Sequence, residues 1–123
     1  MRFMFRSMIA AFFAVLALAT PTVAAELVML ERLGCVWCAQ FNAEIAPAYP
    51  KTEQGRRASL RRVDVTQDWP DDLDGIAPEL FTPTFILIEN GKEIDRIRGY
   101  PGSEFFWYLL DERLAKLDRP TAG

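Results

Sequence analysis

Short apolar runs divide the first half of the chain into a strand, a helix and a second strand. Leu27-Val28-Met29-Leu30 shows no polar alternation, which is typical of a strand that is covered on both faces. Cys38, Phe41 and Ile45 then recur at helical spacing, and residues 60–65 contain the next strand. This strand–helix–strand order predicts two parallel strands that are joined by a right-handed crossover.

The second half of the chain predicts a hairpin and a long amphipathic helix. Residues 84–88 form the clearest strand, and Asn90-Gly91 is a strong signal for a tight turn into an antiparallel strand over residues 93–98. Ser103 is a suitable N-cap for a helix with an apolar stripe that runs to about Leu117. Together these elements predict an α/β sandwich, with one parallel pair, one antiparallel hairpin and a helix on either face.

Residues 66–81 form a long, acidic connection between the second and third strands. Pro70 and Pro78 interrupt it, and we expect a short helical turn over residues 76–80. Its aspartates show no calcium-binding ligand pattern, so we interpret them as a solvated surface rather than a metal site.

The first 25 residues have the pattern of a cleavable secretory signal peptide. Arg2 and Arg6 make a basic start, residues 8–19 are apolar, and Val23-Ala24-Ala25 offers small residues for cleavage after Ala25 or one residue earlier. The alternative is an uncleaved anchor, although the apolar run is shorter than the ~20 residues that a membrane span needs. We therefore expect one domain over residues 26–123, in the periplasm.

Charge and the absence of histidine exclude several function classes. Removing Arg2 and Arg6 lowers Lys plus Arg from 14 to 12 while Asp plus Glu stays at 17, so the net charge changes from -3 to -5. We find no basic stripe interleaved with aromatic residues, as nucleic-acid binding would require. Without histidine, the chain cannot form imidazole metal sites or serine–histidine and cysteine–histidine pairs. Two cysteines cannot close a structural zinc site, so no metal or organic cofactor is implied.

The two cysteines lie three residues apart, in Cys35-Val36-Trp37-Cys38, where the first strand turns into the helix. At a helix N-terminus, free backbone N–H groups and the helix dipole favour the reactive thiolate. Cys35 is at the exposed helix end and is the candidate nucleophile, and Cys38 lies one turn in as the candidate resolving thiol. A passive structural disulfide is the alternative, but so short a loop constrains little of the unfolded chain.

Over nearly all of residues 26–117, the chain resembles the thioredoxin superfamily. Three features carry the resemblance: Cys35-x-x-Cys38 after a buried strand, Thr82-Pro83-Thr84 at the start of the third strand, and Asn90-Gly91 and Gly99 at eight-residue intervals beyond Pro83. The resemblance implies a thioredoxin-like fold, with a minimal four-stranded mixed sheet flanked by helices. It also implies that Pro83 is cis and close to Cys35.

Several stretches are similar to the small periplasmic thioredoxin-like SoxS proteins of the bacterial sulfur-oxidation (Sox) system. They are Gly34-Cys35-Val36-Trp37-Cys38, Phe81-Thr82-Pro83-Thr84-Phe85, Gly99-Tyr100-Pro101-Gly102 and residues 44–52 and 60–64. That similarity implies a thiol–disulfide oxidoreductase that keeps a sulfur-carrying partner protein active. Its electrons would come from a membrane thiol-transporting protein.

Three further residues are candidates for substrate contact. A proline at position 83 leaves the backbone of Thr82 free to pair with an extended substrate chain, unless it simply opens the strand. Trp37 is expected to be an exposed contact surface, with a core position as the alternative. Gly99 is expected where the partner approaches closely, with an ordinary strand-end glycine as the alternative.

Two departures from thioredoxin leave the chemistry open. Val36-Trp37 replaces the usual Gly-Pro between the cysteines, and Met29 occupies the position of a buried acid six residues before Cys35. We therefore expect no side-chain general base for Cys38, and proton transfer through water or backbone. A disulfide-donating oxidase and a non-enzymatic interaction module both remain alternatives, since the sequence does not determine the reduction potential.

Overall fold

The computed structural model describes residues 25–118, which form four strands, three helices and three short 3-10 turns. The strands are β1 (Ala25–Glu31), β2 (Ala58–Asp64), β3 (Thr84–Glu89) and β4 (Lys92–Arg98). The helices are α1 (Val36–Glu44), α2 (Glu53–Arg57) and α3 (Ser103–Leu114), and the 3-10 turns are Tyr49–Lys51, Asp71–Leu73 and Ala115–Asp118. The signal peptide expected over residues 1–25 lies outside the described residues except for Ala25, and the tail after Asp118 lies outside them too.

One mixed sheet organises the fold, with the strand order β2-β1-β3-β4. β1 and β2 are parallel, whereas β3 pairs antiparallel with both β1 and β4. The prediction of a four-stranded mixed sheet is therefore confirmed. β1 is central, and its residues Leu27, Val28, Met29 and Leu30 are at most 1% exposed, which explains why this strand has no polar alternation.

Both longer helices pack on the same face of the sheet. Phe41 of α1 and Phe106 of α3 contact Phe85 of β3, with ring centroids 4.7 and 5.0 Å from the Phe85 ring. On the opposite face, Leu73 and Ile76 from the connection between β2 and β3 cover the sheet. The expectation of a helix on either face is therefore wrong, because a segment with one 3-10 turn takes the place of the second helix.

The connection between β2 and β3 contains its helical turn earlier than predicted. The turn is Asp71–Leu73, directly after Pro70, and residues 76–80 are not helical. Pro78 disfavours the helical conformation at the residue before it, which explains why the predicted position fails. The aspartates of this segment are exposed, and the pair that Asp72 forms with Arg61 Nη1 at 2.6 Å lies on the surface.

The predicted turn at Asn90-Gly91 is confirmed, whereas the predicted N-cap of α3, Ser103, is wrong. Asn90 and Gly91 have φ values of 54° and 71°, the left-handed conformations that a tight turn between twisted strands requires. Gly102 rather than Ser103 is the N-cap of α3, since its carbonyl accepts the first helical hydrogen bond, from Phe106 N–H at 2.9 Å. Within residues 25–118, no helix is long and apolar enough to cross a membrane.

Candidate active site

Cys35 and Cys38 are joined by a disulfide at the N-terminus of α1, with their Cα atoms 5.2 Å apart. Cys35 is the N-cap, and its Sγ accepts a hydrogen bond from the backbone N–H of Cys38 at 3.1 Å. The side chains differ in exposure, because Cys35 is half-buried whereas Cys38 is only 3% exposed. A reagent that approaches from solvent therefore reaches Cys35 first.

Thr82, Pro83 and Gly99 lie at the same end of the sheet as the loop that carries the cysteines. The antiparallel register pairs Leu30 with Thr84, so Pro83, the residue before Thr84, lies beside the end of β1. The Thr82–Pro83 peptide bond is cis, and Pro83 is buried while Thr82 is partly exposed.

The backbone conformation at position 99, rather than a lack of space for a side chain, favours glycine there. Its N–H donates to the carbonyl oxygen of Pro83 at 2.7 Å, and its φ is 89°, in the region that favours glycine. A Cβ atom on Gly99 would lie 3.7 Å from the ring of Phe81, which is an ordinary contact.

Five large apolar side chains, here called the apolar rim, are exposed at the start of α1 and in the loops before α1 and before β3. The rim consists of Leu33 (97% exposed), Val36 (73%), Trp37 (56%), Leu80 (73%) and Phe81 (52%). Trp37 thus lies on the surface rather than in the core. So many large apolar side chains outside the core are typical of a surface that contacts another molecule.

A cleft of about 290 Å³ reaches Cys38 from the side of β1 and β2. Its polar lining includes Glu31, Asp64 and Asn42, together with both cysteines. Arg62 Nη1 lies 2.8 Å from Glu31 Oε2 and 3.5 Å from Met29 Sδ. Met29 occupies the position where thioredoxins carry a buried acid. The carboxylate of Glu31 lies two residues further along the same strand, on the same face of the sheet.

The two acids of the cleft are functional candidates that sequence reasoning missed. Glu31 and Asp64 are the last residues of two adjacent parallel strands and are partners in the register. Their placement at the carboxyl ends of parallel strands, where ligand sites are common in α/β sheets, is the signal that could have identified them. Thr66 donates to Asp64 Oδ1 from its hydroxyl at 2.6 Å and its N–H at 2.8 Å, which lowers the pKa of Asp64.

Comparison with solved structures finds the periplasmic thioredoxin SoxS from Paracoccus pantotrophus, in its reduced form. The two chains are 40% identical, and the match covers 76% of this chain and 98% of that chain with a TM-score of 0.71. The chain belongs to the thioredoxin superfamily. The resemblance seen in the sequence is thereby confirmed, and with the Cys35–Cys38 pair it makes this member of the superfamily a thiol–disulfide oxidoreductase.

More distant thioredoxins share the fold alone. Malassezia sympodialis thioredoxin is 19% identical, over 75% of this chain and 79% of that chain, with a TM-score of 0.55. Thioredoxin-2 of a malaria parasite is 20% identical, over 73% of this chain and 84% of that chain, with a TM-score of 0.54. A scan against protein-family models and a search of curated proteins find no match.

Proposed function

We propose that this thioredoxin-superfamily protein works in the periplasm as a reductant of a partner protein. Its substrate would be a disulfide or a mixed thiol adduct on that partner, with a sulfur-carrier protein of the Sox system as the candidate. The observation that carries the proposal is the disulfide between half-exposed Cys35 and buried Cys38 at the start of α1. The 40% identity to a periplasmic SoxS supports the compartment and the class of partner.

In the proposed reaction, Cys35 is the nucleophile and Cys38 is the resolving thiol. The Cys35 thiolate attacks one sulfur of the partner disulfide, so that a mixed disulfide forms and the other partner sulfur leaves as a thiolate. Cys38 then loses its proton and attacks Cys35 Sγ, which releases the second partner sulfur and forms the Cys35–Cys38 disulfide. The partner gains two electrons, the proton that Cys38 loses and one further proton from water. A dithiol on a membrane thiol-transporting protein restores the reduced pair.

The partner would dock on the apolar rim and on the backbone beside Pro83. Trp37 offers an exposed ring next to the nucleophile, and Thr82 precedes β3 with its backbone outside the strand pairing. The N–H of Gly99 is occupied by Pro83, so Gly99 contributes the backbone shape of the loop rather than a donor. An extended segment of the partner would therefore pair with Thr82 while its side chains cover Trp37.

Export would require that residues 1–25 act as a cleavable leader. Ala25 is the first residue of β1, pairs with Ala58 and is only 3% exposed. Cleavage after Ala24 would keep this strand residue, so it is favoured over cleavage after Ala25. The mass of the protein recovered from the periplasm tests both the export and the position of cleavage.

The reduction potential of the Cys35–Cys38 couple tests the direction of electron flow. We would measure it by equilibrating residues 25–123 with a redox buffer. A value near thioredoxin's, roughly -270 mV, supports a reductant, whereas one near roughly -120 mV indicates a disulfide-donating oxidase. If no exchange is measurable, the pair is a passive disulfide and the chain is an interaction module.

A further inference from the structure

Asn42 carries a buried hydrogen-bond acceptor that no group of the described residues satisfies. Its Oδ1 atom is buried and accepts no hydrogen bond from residues 25–118. Such an atom is unusual, because buried polar groups in folded proteins nearly always have a partner. Asparagine is also a poor helix former, yet here it occupies the last turn of α1.

The position of Asn42 relates it directly to Cys38. The two residues are four apart on α1, so their side chains lie on the same face of the helix. Both line the cleft that ends at the disulfide, and Cys38 is almost completely buried. The two cysteines are the groups of this cleft whose capacity to donate changes with the redox state, and Cys38 is the one that shares a helix face with Asn42. A disulfide sulfur has no proton to donate, whereas a reduced thiol does.

We propose that Asn42 is a positioning residue that accepts a hydrogen bond from the Cys38 thiol in the reduced protein. The inference rests on the thiol–disulfide exchange activity. When a dithiol partner reduces the protein, the partner's two sulfurs join, the Cys35–Cys38 bond breaks, and two electrons and two protons are transferred. One of these protons resides on Cys38 Sγ and points at Asn42 Oδ1.

The expected consequence is a bias of the redox equilibrium towards the reduced form. In the oxidised protein the Asn42 acceptor is buried without a donor from residues 25–118, which destabilises that form. In the reduced protein the same acceptor is satisfied. Replacing the amide by an apolar group of similar shape removes both effects, and both changes favour the disulfide. The bond also orients the Cys38 sulfur, which must later attack Cys35 Sγ.

The test compares the reduction potentials of the wild-type protein, Asn42→Leu and a control, Gln40→Met. Both variants replace an amide on α1 by an apolar group of similar size, but Gln40 is not in the cleft and bonds Glu44 at 2.6 Å. We expect Asn42→Leu to lower the equilibrium constant for reduction three- to tenfold, a shift of about 15 to 30 mV to more negative potential. Gln40→Met should leave the potential at the wild-type value.

A second measurement observes the proposed bond itself. In Cys35→Ala, Cys38 is the only thiol, and the frequency of its S–H stretching band reports whether the proton is hydrogen-bonded. Adding Asn42→Leu should move this band to higher frequency, and adding Gln40→Met should not. Equal potentials for wild type and Asn42→Leu, or an unchanged band, would overturn the proposal. A wild-type protein that shows no thiol–disulfide exchange would instead refute the proposed function. The infrared measurement does not depend on exchange, so it still tests the hydrogen bond in that case.

Discussion

The backbone N–H of Cys38 donates to Sγ of Cys35 at 3.1 Å, so a sulfur atom occupies the N-cap of α1. A thiolate accepts such a bond more strongly than a neutral sulfur does, because the acceptor then carries charge. Cys38 has no equivalent position, since it lies one turn inside the helix and packs in the core beside Phe41. When the disulfide opens, the negative charge is therefore favoured on Cys35.

Serine substitutions of the two cysteines should have different effects. Cys35→Ser should reduce the rate of disulfide reduction to background, because a serine hydroxyl is a much weaker nucleophile than a thiolate. Cys38→Ser should instead form a mixed disulfide with the partner that persists, because no thiol remains to resolve it. Mass spectrometry after mixing with a disulfide-containing protein distinguishes these outcomes.

The same pair of variants provides its own control for folding. Serine is a good N-cap, so Cys35→Ser should keep the start of α1 intact. Both variants lack the disulfide, and Cys38→Ser should unfold at the lower urea concentration because it places a hydroxyl in the core. If Cys35→Ser traps the adduct and Cys38→Ser does not, the roles of the two residues are the reverse of those proposed.

Truncation of Trp37 should weaken partner binding without affecting the thiol chemistry. Its indole is 56% exposed beside Cys35, so Trp37→Ala leaves no cavity in the core. We expect KM for a protein substrate to rise about tenfold, in the range found for aromatic residues at the centre of an interface. The rate with a small linear disulfide such as cystine should change little.

Phe105→Ala is the matched control for the Trp37 experiment. Phe105 is 64% exposed, but it lies on α3 and outside the apolar rim defined above. Its truncation should leave KM for the protein substrate unchanged. An equal rise in KM for Trp37→Ala and Phe105→Ala would mean that the partner does not bind specifically at the apolar rim.

Local signals in the sequence predicted the elements that depend on neighbouring residues. Asn90-Gly91 produced its turn because only certain residues accept positive φ at both positions, and Leu27-Val28-Met29-Leu30 formed a strand buried on both faces. The fold followed from the strand order together with the family resemblance. In the connection before β3, the proline positions limited the possible turns without specifying which one forms.

The groups that surround Cys38 could not be predicted in the same way, because they meet through pairing of distant segments. Glu31 and Asp64 are 33 positions apart and become neighbours only through the parallel register of β1 and β2. In the sequence, nothing distinguishes Asn42 from the other polar residues of α1, Gln40 and Glu44. Its buried Oδ1 becomes evident only when the packing around α1 is known.

A methyl group at Gly55 should destabilise the protein. A Cβ atom there would lie 1.9 Å from the carbonyl oxygen and 2.7 Å from the carbonyl carbon of Tyr49, so the backbone would have to move. Gly55→Ala should lower the free energy of unfolding by about 1 to 3 kcal/mol, as overpacking of a dense site does. Urea denaturation of the oxidised protein measures the change.

Gly75→Ala is the matched control, since its Cβ would meet its nearest neighbour, the carbonyl oxygen of Gly91, at 3.7 Å. We expect this substitution to change the free energy of unfolding by no more than about 0.5 kcal/mol. Similar losses for Gly55→Ala and Gly75→Ala would show that the helix around Gly55 relaxes easily and that the close approach to Tyr49 is not a constraint.

The buried phenol of Tyr49 should make the protein sensitive to alkaline pH. Tyr49 is fully buried, and its hydroxyl donates to the carbonyl oxygen of Ala58 at 2.6 Å. Burial raises the pKa of Tyr49 well above the ordinary value of 10.0. Above pH 10 the unfolded chain therefore loses this proton while the folded protein keeps it, so the free energy of unfolding falls as pH rises. The slope from Tyr49 approaches about 1.4 kcal/mol per pH unit.

Tyr49→Phe should remove the pH dependence that Tyr49 contributes and should also lower the free energy of unfolding at neutral pH. The loss of this buried hydrogen bond should lower the free energy of unfolding by about 0.5 to 1.5 kcal/mol at pH 7. Tyr108→Phe is the control for a surface tyrosine, because Tyr108 is 60% exposed and its pKa is raised chiefly by a hydrogen bond to Glu112 rather than by burial. Urea titrations from pH 8 to pH 11 should show a shallower alkaline decline for Tyr49→Phe than for Tyr108→Phe. Equal declines in the two variants would mean that Tyr49 ionises as readily in the folded protein as in the unfolded chain.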